Sequence, residues 1–487
     1  MNPGDGRLCE RLQDVCTGVA PRLPDGGLRD AVEASLRRLA DPKLRIAVGG
    51  RLNAGKSTLV NALLGTRLAP TDATECTLLA AWFRYHHRSQ VAVHFIDGST
   101  EYVAARPGGG VPASLPFDHH SVTHLTVQAP VAGIDDEYLL IDTPGRDALS
   151  GLDDYSMGAI READGLIFVM HDPGEVELRA LEEFRGAVAG ARLSAGNVLG
   201  VLSRIDTIAD HLAPALRRAE AGAIAARTSA RLRGLVSTIV PVANRLAQAA
   251  RCATVTEAHA AAVVELAAAD PAGRRRLFFD DDMFLDASVG VARPVRAELL
   301  SLLGRYGIEE AVAAVDAGAR GATAIRAALL AVSGLPELQT LISERFVRNA
   351  DALRADGVLA LLERALAAGP PPTGGAPREL ADAVHRLRRD PALRAAQLAE
   401  VATAYAAGDL PLDDDMALDL HHLLTGVTVA QRLGLPDADA DALRAEADRR
   451  ITRWQTAESE LPRRSKRLAR TVIEVLNQLW FGLEGTR

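Results

Sequence analysis

The pattern of apolar positions changes once along the chain, near residue 245. Before that point, apolar runs of strand length are separated by stretches with helical periodicity. This order predicts an α/β layer built on a mostly parallel sheet. The predicted strands are an adjacent pair at 78–85 and 90–96, and the runs at 44–48, 138–141, 165–170, 198–202 and 239–242.

After residue 245 the pattern is helical to the end of the chain. Ile325, Leu329 and Val332, for example, follow the i, i+4, i+7 spacing of an amphipathic helix. The clearest break is a Pro/Gly-rich stretch at 369–377, which predicts a loop. We therefore predict an α/β head, with a mostly parallel sheet flanked by helices, and an elongated all-α neck and stalk. The predicted domains are an N-terminal helical segment at 1–42 that packs with the neck, a head at 43–248, and a helical stalk at 249–487 with a candidate tip loop near 369–377.

Composition narrows the class of protein. The 487 residues carry a net charge of −8, which argues against a general nucleic-acid binder. The four cysteines lack the spacing of zinc ligands and are typical of reduced thiols in the cytoplasm. No apolar run reaches the ~18 residues that a membrane span requires. Any membrane contact is therefore expected to be peripheral.

The strongest chemical signal is the phosphate loop, which we define as residues 50–57. It reads GRLNAGKS, fits the pattern G-x-x-x-x-G-K-[ST], and lies between a predicted strand and a predicted helix. Small residues let backbone N–H groups close around phosphates, and the helix N-terminus adds positive potential. Lys56 is expected to reach the β- and γ-phosphates and Ser57 to bind Mg²⁺. The predicted nucleotide contacts here are Gly50, Asn53, Ala54, Gly55, Lys56, Ser57 and Thr58.

A second motif, IDTPG at 141–145, follows an apolar run. Asp142 is expected to hold Mg²⁺, and the Gly145 N–H to sense the γ-phosphate, so that hydrolysis releases the loop. A switch threonine should close over Mg²⁺ and the attacking water. Thr77 is favoured for this catalytic role, with Thr74 as the second choice.

A third motif, SRID at 203–206, follows the run at 198–202. GTPases usually have [NT]-K-x-D here, and the Asp accepts hydrogen bonds from the ring N–H and the exocyclic amine of guanine. Asp206 is expected to select guanine in this way, because adenine cannot offer that pair of donors. Arg204 can lie over the base. Ser203 replaces an amide side chain, which leaves the depth of guanine selectivity open.

These motifs resemble those of a known family. Residues 50–65, GRLNAGKSTLVNALLG, are similar to the phosphate loop and first helix of bacterial dynamin-like proteins. The next segment, LAPTDATECT at 68–77, resembles that of the actinobacterial isoniazid-inducible dynamin-like GTPases. Pro70 and Thr77 match the dynamin spacing of seven residues. The similarity continues through 141–145 and the motif VLSRID, and returns at 303–308 and 333–335.

The resemblance implies a GTPase that binds GTP, GDP and Mg²⁺, dimerises head to head and remodels membranes. It implies a GTP-dependent homodimer, or a dimer with a related chain, in the cytoplasm at the inner face of the plasma membrane. The alternative is a regulatory switch whose helices bind a protein partner without touching lipid. A ribosome-associated GTPase and a P-loop ATPase are disfavoured.

The resemblance also suggests how hydrolysis runs. Arg146 stands where Ras-like enzymes place a water-positioning Gln. Some dimerising GTPases carry Asn at the position of Asn53 and use it to hold a monovalent cation. The hypothesis is that K⁺ or Na⁺, held partly by Asn53, stabilises the transition state. The alternatives are that Asn53 only ties the loop together, or that Arg51 or Arg146 supplies the charge.

Three segments are candidates for contact with anionic lipids. They are RRRLFF at 274–279, the Pro/Gly loop at 369–377, and the basic residues Arg463, Arg464, Lys466, Arg467 and Arg470. Each also has an ordinary interpretation. The first is then a loop with a buried Phe pair followed by three acidic residues, the second a plain linker, and the third a solvated helix face.

Overall fold

The computed structural model describes most of the chain, and elements are numbered within that part. The described residues are 7–70, 79–106, 108–112, 114–131, 137–144, 163–171, 173–175, 179, 181, 197–232, 235–406, 408–426 and 428–484.

A nine-stranded mixed sheet forms the centre of the head, in the order β4-β3-β5-β2-β6-β1-β7-β8-β9. Five pairings are parallel, and three antiparallel pairings join the strands toward the β4 edge. The predicted α/β head is therefore confirmed, with an antiparallel extension. The strands are β1 (Leu44–Gly50), β2 (Ala81–Tyr85), β3 (Gln90–Phe95), β4 (Thr100–Val103), β5 (Val122–Ala129), β6 (Tyr138–Asp142), β7 (Gly165–Met170), β8 (Val198–Leu202) and β9 (Ile239–Pro241).

The predicted direct pairing of the runs at 78–85 and 90–96 is wrong. Both runs form strands, but β5 lies between β2 and β3, parallel to the first and antiparallel to the second. β5 reads VTHLTVQA, so polar side chains interrupt its apolar pattern. Leu125 and Val127 are buried in the core on one face, while His124 stacks on His94 at 4.3 Å on the other. Half-burial of this kind hides a strand from a search for continuous apolar runs.

Helices account for most of the remaining described residues, and they fall into three packed groups. The helices are α1 (Leu8–Val19), α2 (Gly27–Ala40), α3 (Lys56–Leu64), α4 (Pro214–Arg231), α5 (Asn244–Arg251), α6 (Glu257–Ala267), α7 (Pro271–Leu277), α8 (Asp281–Asp286), α9 (Arg293–Asp316), α10 (Gly321–Val332), α11 (Leu335–Arg345), α12 (Ala350–Ala368), α13 (Gly375–Leu387), α14 (Arg394–Ala406), α15 (Asp414–Thr425), α16 (Val429–Arg432), α17 (Ala440–Glu460) and α18 (Arg463–Glu484).

The first group covers the sheet. Helices α4 to α10 share one hydrophobic core with residues such as Phe168 on one sheet face. On the opposite face, α3 and α11 pack in a second core. That core includes Phe346, whose ring lies under Gly165 where β7 begins. The helices from α5 to α11, although they follow residue 243, therefore belong to the packing of the head.

The second group joins the two ends of the chain. α1 and α2 share a core with α12 and α13. Hydrogen bonds hold this group together: the Leu8 N–H donates to the Asp351 carboxylate at 2.8 Å, and the Arg354 guanidinium donates to the Leu39 and Asp41 carbonyls. At the far end, residues 24–28 and the Pro/Gly loop line a mostly apolar cavity of about 420 Å³.

The third group contains α14 to α18 around a core centred on the fully buried Trp454. Asp419 accepts a hydrogen bond from the Trp454 indole and forms ion pairs with Arg450 and Arg453. Within the part of the chain that the structure describes, no single helix meets the length and apolarity needed to cross a membrane. One pair, Gly321–Val332 with Leu335–Ala368, meets them only when joined across a bend of 60°.

Candidate nucleotide site

Two glycines shape the phosphate loop where β1 ends and α3 begins. Gly50 has φ +141°, and a Cβ there would stand 2.2 Å from the Val169 carbonyl oxygen of β7. Gly55 has φ +92°, and its Cβ would stand 2.9 Å from Asn244 Nδ2. Glycine avoids both contacts and adopts both backbone conformations without strain. The motif's glycine spacing is thus imposed by the packing of β1 on β7 and of α3 on α5.

Lys56 lies at the first position of α3 with its side chain turned across the loop. It is buried, and its Nζ donates to the Arg51 carbonyl at 2.9 Å. The N-terminus of α3 points its free N–H groups at the same space, which gives the loop a positive potential. The ammonium and these N–H groups are the donors that a bound phosphate requires.

Ser57 and Asp142 bring together the oxygen atoms that a divalent cation requires. β6 lies beside β1, with Asp142 opposite Val48, and Ser57 Oγ donates to Asp142 Oδ2 at 2.8 Å. Among the described residues, the buried Asp142 Oδ1 has no hydrogen-bond partner. Burial raises the pKa of Asp142 to about 6, against the lowering effects of Lys56 and Ser57. A hydroxyl and a buried carboxylate oxygen with an open lone pair fit Mg²⁺.

The base loop, which we define as residues 203–212, follows β8 and is tied to the phosphate loop. The fully buried Ser203 hydroxyl donates to the Ala54 carbonyl at 2.7 Å. Arg204 Nη2 donates to the Asn53 carbonyl at 2.7 Å. Arg204 and Asn53 both have positive φ, +52° and +60°, a conformation that non-glycine residues adopt at a cost and that often marks functional sites. Asp206 follows on a short 3₁₀ turn, Ile205–Thr207, and is half-buried.

Ser203 therefore takes over one task of the usual amide. Its hydroxyl has one hydrogen to donate, which lies closer to the Ala54 carbonyl at 2.7 Å than to the Met170 carbonyl at 3.1 Å, whereas an asparagine side chain has two. Ser203 therefore keeps the hydrogen bond between the base loop and the phosphate loop, but it lacks the second N–H donor of an asparagine.

Asn244 is a site residue that the sequence analysis missed. It begins α5 directly after the last strand, and its Nδ2 donates to the Gly55 carbonyl at 3.0 Å. Its Oδ1 is buried and has no hydrogen-bond partner among the residues that the structure describes. Ligands of open α/β sheets bind at the carboxyl ends of the strands. A polar residue just after the predicted strand at 239–242 was therefore a usable signal.

Some predicted site residues lie outside the described part of the chain. These are the switch threonine candidates Thr77 and Thr74, together with Gly145 and Arg146. Thr58 is described and lies on the first turn of α3, half-buried beside Ser57. Asn53 is exposed, and its main-chain carbonyl makes the contact to Arg204.

The three candidate lipid-contact segments differ in their surroundings. In the first, Arg274 forms an ion pair with Asp316, while Phe279 is 73% exposed next to the exposed Arg275 and Arg276. The interpretation as a buried Phe pair is therefore wrong for Phe279, although Phe278 stacks on Phe284.

The surroundings of the second and third candidate segments are compatible with both interpretations, lipid contact and an ordinary linker or solvated face. The Pro/Gly loop lines the cavity at the far end of the α1, α2, α12 and α13 group. On α18, Arg467 and Arg470 are exposed and pair with Glu400 and Glu458.

Comparison with known proteins gives relatives over most of the chain. The chain is 31% identical over 417 residues to the isoniazid-induced protein IniC of Mycobacterium tuberculosis, covering 83% of this chain and 82% of that protein. It is 24% identical over 157 residues to the bacterial dynamin-like protein of Nostoc punctiforme, covering 28% and 21%. It is 27% identical over 139 residues to dynamin-like protein A of Bacillus subtilis, covering 28% and 12%.

A family model described as "50S ribosome-binding GTPase" matches residues 45–191. Among solved structures, one from an oligomerised bacterial dynamin pair, described as a mechanism for sensing and tethering membranes, is similar with 14% identity and a TM-score of 0.33. The match covers 99% of this chain and 79% of the other. A TM-score this low supports no further argument.

Proposed function

The chain belongs to the bacterial dynamin-like GTPases of the isoniazid-inducible type, and from this premise we propose that it couples GTP turnover to head-to-head dimerisation and membrane contact. As a member of this family it binds guanine nucleotide and hydrolyses GTP to GDP and phosphate. What is proposed is the role of each residue, the partner and the membrane.

The observation that carries the residue assignment is the buried Asp142 Oδ1 beside Ser57 and Lys56, which finds no hydrogen-bond partner in the described part of the chain. We assign Ser57 and Asp142 to Mg²⁺ and Lys56 to the β- and γ-phosphates. When bound, the metal would neutralise charge that develops on the phosphates. Lys56 orients the triphosphate and replaces its bond to the Arg51 carbonyl with bonds to phosphate oxygens.

Asp206 is assigned to guanine, and Arg204 to the face of the base. The two ties from Ser203 and Arg204 hold the base loop at a fixed distance from the phosphate loop. One bound nucleotide is therefore expected to contact both loops, with its base at 203–206 and its phosphates at 50–57. Thr77 and Gly145 are proposed for the switch roles, and K⁺ or Na⁺ at Asn53 for charge stabilisation.

The membrane proposal rests on the properties of dynamin relatives as a class. The partner is a second copy or a related dynamin-like chain, and the lipid is anionic, at the inner face of the plasma membrane. The division into segments 1–42, 43–248 and 249–487 is kept as a functional proposal, with α5 to α11 packed on the head. The exposed Phe279, which follows three arginines and precedes three aspartates, and the basic face of α18 are compatible with lipid contact.

Sedimentation with anionic liposomes tests the proposal. We expect the protein to pellet with liposomes when GTP is present, and Lys56→Ala to lose both nucleotide binding and this dependence. Tight GTP binding by Lys56→Ala would contradict the phosphate-loop assignment. Normal GTP turnover without liposome binding in any nucleotide state would instead favour the regulatory switch that binds a protein partner.

A further inference from the structure

The base loop is held from behind by an arginine on α4. Arg217 is only 3% exposed. Its Nε donates to the Leu212 carbonyl at 2.6 Å, and its Nη2 donates to the Asp210 carbonyl. These carbonyls lie at the end of the loop that begins with Ser203 and carries Asp206. A planar guanidinium that bonds to two carbonyls of one loop fixes the shape of that loop.

The same guanidinium contacts α9, a helix far along the chain. α9 contains a break at Gly304, where φ is +65° and ψ is +169°. Beyond the break, the Tyr306 ring lies under the Arg217 guanidinium at 5.9 Å. Glu309 Oε2 lies 3.5 Å from Arg217 Nη2. The break in α9 therefore presents an aromatic face and a carboxylate to the arginine that holds the base loop.

Tyr306 has a hydroxyl that packing alone does not require. The residue is 2% exposed, and its buried Oη has no hydrogen-bond partner among the described residues. α9 also packs against the Ile205–Thr207 turn that carries Asp206, with Ile308 and Ile205 in one hydrophobic core. Burial raises the pKa of Tyr306. A buried hydroxyl without a partner is costly. A phenylalanine would pack as well, so the hydroxyl is expected to serve another state of the protein.

We propose that Arg217 and Tyr306 are positioning residues for guanine selection, holding Asp206 where it can bond to the exocyclic amine of the base. The Tyr306 hydroxyl finds its partner in the base loop when guanine is bound. This inference rests on the proposed role of Asp206. Its consequence is that selectivity depends on α9, which lies outside the motifs that contact the nucleotide.

Comparing GTP with ITP tests the inference, because ITP lacks only the exocyclic amine. We expect the ratio of ITP to GTP dissociation constants to fall by about 5- to 20-fold in Tyr306→Phe and Arg217→Met, the loss of one hydrogen bond. The change should come mainly from weaker GTP binding. Tyr306→Phe should unfold at the same or a higher temperature, because it removes a buried hydroxyl that no described residue bonds to. A merely structural role would instead leave the ITP/GTP ratio unchanged.

Two controls keep the outcomes separate. Arg227→Met changes an exposed arginine on the same helix and should leave the ratio unchanged. Asp206→Asn should shift preference from GTP to XTP, since an amide can donate to the xanthine carbonyl. If Asp206→Asn shows no such shift, the proposed role of Asp206 fails. If it shifts but Tyr306→Phe and Arg217→Met keep the normal ratio, only the positioning role is overturned.

Discussion

Asp142 carries a carboxylate whose charge is stabilised only in part before Mg²⁺ and nucleotide bind. Burial raises its pKa from 3.8 to about 6, although Lys56 and Ser57 act in the opposite direction. A carboxyl group with a raised pKa in the folded state stabilises the protein below the unfolded pKa and loses that effect as pH rises through the folded pKa. The contribution of Asp142 to the stability of the unliganded protein should therefore fall as pH rises from about 4 to about 6.

Replacing this carboxylate should stabilise the unliganded protein. Asp142→Asn keeps an oxygen for Ser57 and removes the buried charge, so we expect the free energy of unfolding in EDTA to rise by about 2–3 kcal/mol at pH 8. At pH 4 the difference should be small, because the native group is largely protonated. Urea unfolding at both pH values measures this. The same variant should lose Mg²⁺-dependent GTP affinity, and lower stability at pH 8 would contradict the prediction.

Ser203 should contribute to both stability and nucleotide affinity. Ser203→Ala removes the donor to the Ala54 carbonyl in a fully buried position. We expect unfolding free energy to fall by about 1–2 kcal/mol, because a buried carbonyl loses its partner, and GTP binding to weaken. Ser459→Ala is the matched control. Its hydroxyl makes a similar bond, to the Thr456 carbonyl at 2.7 Å, in an exposed position. Equal effects of the two variants on stability would argue against the tie.

Among the elements, the turn between α10 and α11 links the stalk side of the head to the nucleotide site. The Ser333 carbonyl accepts a hydrogen bond from the Ala243 N–H at 2.9 Å, next to Asn244. Gly334 has φ +79°, and a Cβ there would stand 2.1 Å from the Pro241 carbonyl oxygen. This contact gives a physical reason for the segment 333–335, which the sequence singled out only by family resemblance.

Gly334→Ala should therefore destabilise the head strongly. We expect a loss above about 3 kcal/mol, since both a clash with backbone and an unfavourable φ must be relieved. Gly318→Ala provides the control, because Gly318 also has positive φ, +101°, but has no atom within 4 Å of the added Cβ. It should lose only about 1 kcal/mol from the backbone conformation. Thermal unfolding compares the two, and equal losses would show that the close approach to Pro241 is unimportant.

The sequence predicts elements that depend on contacts between near neighbours in the chain. It does not predict a strand order that depends on pairing between distant segments. The helices Gly27–Ala40 and Lys56–Leu64 follow local periodicity; the first lies in the predicted N-terminal helical segment, and the second follows the phosphate loop, where a helix was expected. The insertion of β5 between β2 and β3 depends on pairing among distant segments, which periodicity does not encode.

The same limit applies to the site. The phosphate loop and the two aspartates lie in short motifs whose spacing is visible in the sequence. Asn244 and Arg217 belong to no such motif, and Tyr306 lies in the segment 303–308, which only the family resemblance singled out; folding brings them to Gly55 and the base loop.

On the scale of the whole molecule, both ends of the nucleotide site are connected to helices late in the chain. The phosphate loop contacts Asn244, whose neighbour Arg245 approaches the break in α9, with Nη1 3.1 Å from a Cβ placed on Gly304. The base loop contacts the same helix through Arg217 and Tyr306. Coupling of this kind is reciprocal. If one placement of α9 tightens nucleotide binding, bound nucleotide stabilises that placement of α9. These connections give GTP a route to influence α9.

A second head of a dimer should matter most for stabilising the charge that develops in the transition state of GTP hydrolysis. No Gln follows the motif at 141–145, since Arg146 takes its place. If heads complete each other's sites, turnover per head should rise with protein concentration, by about tenfold or more across the dimerisation range, because a missing charge in the transition state is worth at least that much. GTP turnover measured over a dilution series tests this, and a constant rate per head would leave a solitary switch as the better description.

Substitution of Asn53 tests whether a bound cation supplies that charge, independently of whether the protein dimerises. If Asn53 helps to hold K⁺ or Na⁺, turnover at saturating protein should be faster in K⁺ or Na⁺ than in choline, and Asn53→Ala should remove the difference. Asn349→Ala is a suitable control, because Asn349 is exposed and its amide donates to the Glu344 and Arg345 carbonyls, away from the phosphate loop. Equal rates in all three salts would end the cation hypothesis. If the rates also still rose with concentration, the charge would have to come from an arginine, with Arg51 and Arg146 as the nearest candidates in the sequence.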